Sequence, residues 1–96
     1  MKIEKFEESL RDDAPPAELN SYLKALWYDA RDDWKKAHEI VQDLNDRNAA
    51  WIHAYLHRRE GDEGNASYWY RQASKPFPTG IKLEDEWRDI VTCLLS

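Results

Sequence analysis

Ninety-six residues suffice for one domain with a single modest core, and a hydrophobic share of 42% separates the chain from disordered sequences. A net charge of −5 argues against a broad nucleic-acid footprint and against docking on an anionic membrane, since both call for basic surfaces. The single cysteine, Cys93, excludes an intramolecular disulfide and a cysteine zinc cluster, and no stretch approaches the roughly 20 apolar residues of a membrane span. Met1 to Glu8 holds no apolar run of the secretory type, so the expected compartment is the cytoplasm. Five Trp and five Tyr stand beside one Met and two Phe, a mixture suited to thin cores and binding surfaces.

No period-2 apolar alternation bounded by turn residues occurs, and an all-α fold is expected. From Ile3 to Arg11, Ile3, Phe6 and Leu10 share one side of a short amphipathic helix. Asp12 to Pro16 ends it and starts the next, with Asp13 as cap, prolines in the first turn and Glu18 near the positive end of the dipole. That second helix runs to Ala30 on a stripe of Leu19, Leu23, Leu26 and Ala30. A third, Trp34 to Leu44, follows an Asp33 cap and buries Trp34, Ala37, Val41 and Leu44. A fourth covers Ala49 to Glu60 behind an Asn48 cap, and Gly61-Asp62 turns the chain into a fifth, Glu63 to Ser74, which stops before Pro76. The last helix carries Leu83, Trp87, Ile90, Val91 and Leu94 at the spacing of one buried face.

Two of these helix–turn–helix units superimpose without a gap when Ala37 is aligned with Ala66. Tyr22 then falls on Trp51, Ala25 on Ala54, Asp33 on Asp62 and Val41 on Tyr70. In each unit a small residue of the first helix (Ala25, Ala54) meets a small residue early on the second (Ala37, Ala66), which permits close approach of the two helices.

The second unit, Ala49 to Ala73, resembles a tetratricopeptide repeat and, through Trp69-Tyr70-Arg71-x-Ala73, its Sel-type relative. Ala54, Gly61-Asp62, Ala66, Tyr70, Ala73 and Pro78 stand where that family has its small residue, its turn, its second-helix signature and its closing proline. Ala50, His53 and His57 depart from it. The first unit keeps Ala25, Tyr28 and Ala37 without a Gly turn, and the offset between units is below the ~34 residues of the family. The whole chain is also similar to short bacterial proteins rich in Trp and His, a similarity that carries no activity. The repeat resemblance implies two tandem antiparallel helical hairpins, residues 15–45 and 48–75, flanked by an N-terminal helix in 1–13 and a capping helix in 82–95. It implies a non-enzymatic module that needs no cofactor and binds a protein or peptide partner on the concave face made by the first helix of each unit. Carried over residue by residue, that face holds Tyr22, Leu26 and Asp29, then Trp51, Tyr55 and Arg58, with Arg59 beside them. Trp, Tyr and Arg are the types enriched at binding hot spots. Burial of Trp51 and Tyr55 beneath a flanking helix is the alternative, and exposed aromatics would allow a homodimer.

His53 and His57 stand four apart, so both imidazoles can reach one ion, with His38 as a third ligand and Glu60 or Asp62 to complete the set. Ala54 occupies the place of the glutamate in the helical metalloprotease motif. Both histidines also lie on the packing face, so satisfied structural histidines are expected. A small ligand- or metal-binding protein or enzyme using His53, His57 and Arg71 is the competing reading. His57, Arg58, Arg59, Arg71 and Lys75 form a basic run near Tyr68 and Trp69, read as solvated helix ends rather than a nucleic-acid site. Glu84-Asp85-Glu86 and the other acidic clusters read as caps and solvated faces. Cys93 is expected to be a buried, inert thiol.

Overall fold

The computed structural model describes residues 1–95, and these form six helices and no strand: α1 (Ile3–Ser9), α2 (Ser21–Ala30), α3 (Trp34–Gln42), α4 (Arg47–Arg59), α5 (Glu63–Gln72) and α6 (Leu83–Leu95). Four of the starts have a side-chain cap. Asn20, Asp33, Asp46 and Asp62 accept a hydrogen bond from the backbone N–H three residues on, at 3.0, 3.1, 2.8 and 3.2 Å, and so cap α2, α3, α4 and α5.

Two starts differ from the sequence expectation. α2 begins at Ser21, because Pro15 and Pro16 are spent in a turn in which Leu19 N–H reaches the Pro16 carbonyl, and extended Asn20 then caps. α4 begins at Arg47, because Asp46 is the extended residue (ψ 175°) with its carboxylate at the Ala49 N–H, which leaves Asn48 inside the first turn.

The turns within the two helix pairs are built alike. After α2, Asp32 N–H bonds the Asp29 carbonyl and Asp33 N–H bonds the Tyr28 carbonyl, both at 2.9 Å. After α4, Gly61 and Asp62 repeat this toward Arg58 and His57, at 3.1 and 2.9 Å. This is the left-handed helix stop, and its middle residue takes φ +61° at Asp32 and +87° at Gly61. The next residue, Asp33 or Asp62, is at once the end of the stop and the cap of the following helix. Aspartate tolerates the left-handed region better than most side chains, so the first turn dispenses with glycine.

Ala25, Ala37, Ala54 and Ala66 are all fully buried, and α2 packs on α3 and α4 on α5 over the longest interfaces in the fold. α3 lies against α4 and joins the two pairs. α6 packs on α1, α2 and α4, with Trp87, Ile90 and Val91 buried. Trp87 donates its indole N–H to the Leu26 carbonyl at 3.1 Å and meets Phe6 with ring centroids 5.8 Å apart. A compact chain of this length has a radius of gyration of about 12.5 Å. The observed 12.5 Å agrees with this. No helix among the described residues is long and apolar enough to cross a membrane. Cys93 is exposed rather than buried, because the apolar stripe of α6 passes through Ile90 and Leu94 and turns position 93 outward.

Candidate functional site: two faces of the central helix

On a helix of 3.6 residues per turn, side chains two positions apart point about 200° from each other. Tyr55 and Arg59 therefore leave α4 on one side, and His53 and His57 on the other.

The first side holds the residues of the expected concave face. Leu26, Asp29 and Tyr55 lie in the core, 0%, 1% and 3% exposed, while Tyr22, Trp51 and Arg58 are half-buried. α6 is what covers Leu26, Trp51 and Arg58. Its Glu86, itself buried, accepts from both the Tyr70 hydroxyl (2.8 and 2.7 Å) and Arg58 Nη1 (2.8 Å), and from the Trp51 indole at 3.4 Å. Arg58 also donates to the Ile81 carbonyl. Burial, then the Glu86 carboxylate, push the Tyr70 phenol well above its ordinary value, so it stays a donor. Glu86 is thus the anchor of α6 rather than a solvated acid. Its spacing carried that signal, since it stands three after Leu83 and four before Ile90 on the buried stripe.

Deeper in the same face, Arg59 Nη1 grips the Asp29 side chain and carbonyl, both at 2.6 Å, and Nη2 reaches Asp32 at 2.6 Å. Burial raises the Asp29 carboxyl against the opposing pull of Arg59. Tyr22 bonds Asp46 at the far edge and does not join this group. The part of the face that α6 leaves uncovered is a cleft of about 460 Å³ between α1, α2, α4 and α6. Leu10, Ala30, Leu83 and Trp87 supply its apolar walls, and Glu7, Arg59, Glu84 and Arg88 its rim. Arg88 is held by Glu7 at 2.7 Å. The basic run does not gather into a patch, because Arg58 and Arg59 turn to carboxylates and Lys75 lies over the Trp51 ring at 4.1 Å.

The second side holds all three histidines. His38 of α3 and His53 of α4 bring their Nε2 atoms to 2.9 Å. His57 lies one turn beyond His53, its ring 4.9 Å away and nearly parallel, and its Nδ1 meets Glu60 Oε1 at 2.9 Å. Trp69 stacks on His53 at 4.0 Å and Trp34 on His38 at 4.8 Å. Trp34 is fixed in turn by its indole N–H, 2.7 Å from the Leu56 carbonyl. Burial lowers both His38 and His53, His53 to about 4, with neighbouring histidines adding to the effect. His38 and His53 are therefore neutral at neutral pH, the state in which imidazole is a ligand. Arg71 is exposed on α5 and is not part of this cluster.

No protein-family model matches this chain, and no curated protein or solved structure matches it significantly.

Proposed function

We propose that the protein is a non-enzymatic interaction module, built of two shortened tetratricopeptide-type hairpins, that receives a peptide segment of a partner protein. The observation that carries this reading is the cleft between α1, α2, α4 and α6, which of the expected face includes only the buried Asp29 and Tyr55 at its floor and is otherwise walled by residues of α1 and α6 and by Ala30 and Arg59. Its volume of about 460 Å³ lies within the roughly 300–1,000 Å³ of ligand sites. Leu10, Leu83 and Trp87 favour an apolar anchor side chain, and the rim charges of both signs favour the polar main chain around it. The paired small residues and the equivalent turns support the repeat assignment. The cytoplasm is the proposed compartment, and nucleic acid is set aside because the arginines nearest the cleft are engaged by Asp29, Asp32, Glu7 and Glu86.

Ala30 is exposed on the cleft wall at the end of α2, so Ala30→Trp fills the cleft without touching the core. Peptides selected from a random display library on the wild-type protein are expected to share an apolar anchor and to lose binding to Ala30→Trp. A control variant, Lys35→Ala on α3, should keep it. Selection of no consensus, or equal binding to both variants, counts against the cleft. Conversion of a wild-type dimer to a monomer by Ala30→Trp would give the cleft to a second copy instead.

A further inference from the structure

We propose that His38, His53 and His57 bind one divalent transition-metal ion of the imidazole-preferring class, Zn²⁺ being the reference member. This goes beyond the peptide-binding reading and uses the opposite side of α4. One ligand nitrogen from each of the three histidines lies within 4.8 Å of the other two. A tetrahedral ion 2.0–2.1 Å from each nitrogen sets ligand atoms about 3.3 Å apart. The His38–His53 separation of 2.9 Å has to widen slightly and His57 to close in.

The surroundings fit the same chemistry. Glu60 holds Nδ1 of His57, which leaves Nε2 for the ion; a carboxylate behind a ligating histidine fixes its tautomer and raises its basicity. Trp34 and Trp69 wall the cluster with apolar rings stacked on His38 and His53. One member of the His38–His53 pair must carry its proton on Nε2 to make their hydrogen bond. Metal binding moves that proton to Nδ1, a change of tautomer with no net loss of a proton. His38 is half-buried, so solvent water completes the fourth position, the pattern of three protein ligands and one exchangeable site. The ion would join α3 to α4 and so clamp one helix pair to the other.

The test uses the full chain stripped with a chelator and titrated with Zn²⁺ and with Co²⁺. Saturation at one ion per chain is expected, with an intense visible Co²⁺ spectrum of tetrahedral type and a higher melting temperature. Excess Mg²⁺ or Ca²⁺ should not compete, since hard cations prefer oxygen. His38→Ala lies outside the α4 core and is expected to weaken binding more than Glu60→Gln, which keeps every ligand and should cost roughly 10–100-fold. Cys93→Ser should change nothing. The proposal falls if the folded wild type takes up no ion saturably, if His38→Ala and Glu60→Gln both bind as tightly as wild type, or if Cys93→Ser abolishes binding. Should His38→Ala lose its helical signal, Glu60→Gln decides alone: unchanged affinity overturns the site and the stated loss supports it.

Discussion

Glu86 sits in the core because three donors meet it there: the Tyr70 hydroxyl, the Arg58 guanidinium and the Trp51 indole. Removing one partner of a buried ion pair leaves the other charge desolvated, at a cost of about 3–5 kcal/mol. Glu86→Ala is therefore expected to lower unfolding free energy in urea by roughly that amount, whereas Glu84→Ala, exposed two residues earlier on the opposite side of α6, should change it by less than about 0.5 kcal/mol. Equal effects of the two would remove the special role given to Glu86. The histidines follow the same logic. Burial stabilises the neutral forms of His38 and His53, and the hydrogen bonds among His38, His53, His57 and Glu60 take up ring nitrogens that would otherwise be orphaned.

At the scale of elements, the two turns test how far the helix pairs are equivalent. Gly61 has φ +87° and open space around a notional Cβ, so Gly61→Ala meets no clash and suffers only the left-handed backbone penalty, about 1 kcal/mol. Asp32→Gly relieves a similar strain at the matching position (φ +61°) but removes the exposed contact with Arg59 Nη2. An exposed ion pair contributes roughly 0–1 kcal/mol, so the two effects nearly cancel and a stability close to wild type is expected. Thermal melts of both variants check this. A clear gain for Asp32→Gly would show the ion pair to be inert, and a loss above about 1 kcal/mol would show it to be structural.

At the scale of the whole molecule, α6 decides whether the helix pairs make a finished domain. It contributes Trp87, Ile90 and Val91 to the same core cluster as Leu26, Ile52 and Leu56, and it reaches α1 through Arg88 and Glu7. A chain ending before Leu83 uncovers that cluster. It is expected to retain helical far-ultraviolet dichroism but lose a sharp thermal transition and bind hydrophobic dyes. A cooperative melt of the truncated chain would mean that the two pairs are stable without their cover.

The sequence by itself determined six helices, the Asp33 cap, the Gly61-Asp62 turn and the buried alanines where helices approach closely. All of these rest on neighbours within one or two turns, where propensity, capping and periodicity act. The position of the α2 and α4 starts needed backbone geometry, because Pro15 and Pro16 go into a turn before α2 and because extended Asp46, rather than Asn48, reaches the Ala49 N–H in the first turn of α4. Only the tertiary structure decided what covers each face. The stripe containing Leu26 and Tyr55 is apolar whether a peptide or α6 lies on it, and periodicity is blind to that choice. For the same reason the spacing of His53 and His57 gave a pair, while the approach of His38 depended on how α3 packs against α4, a contact between residues far apart in the chain that no local pattern encodes.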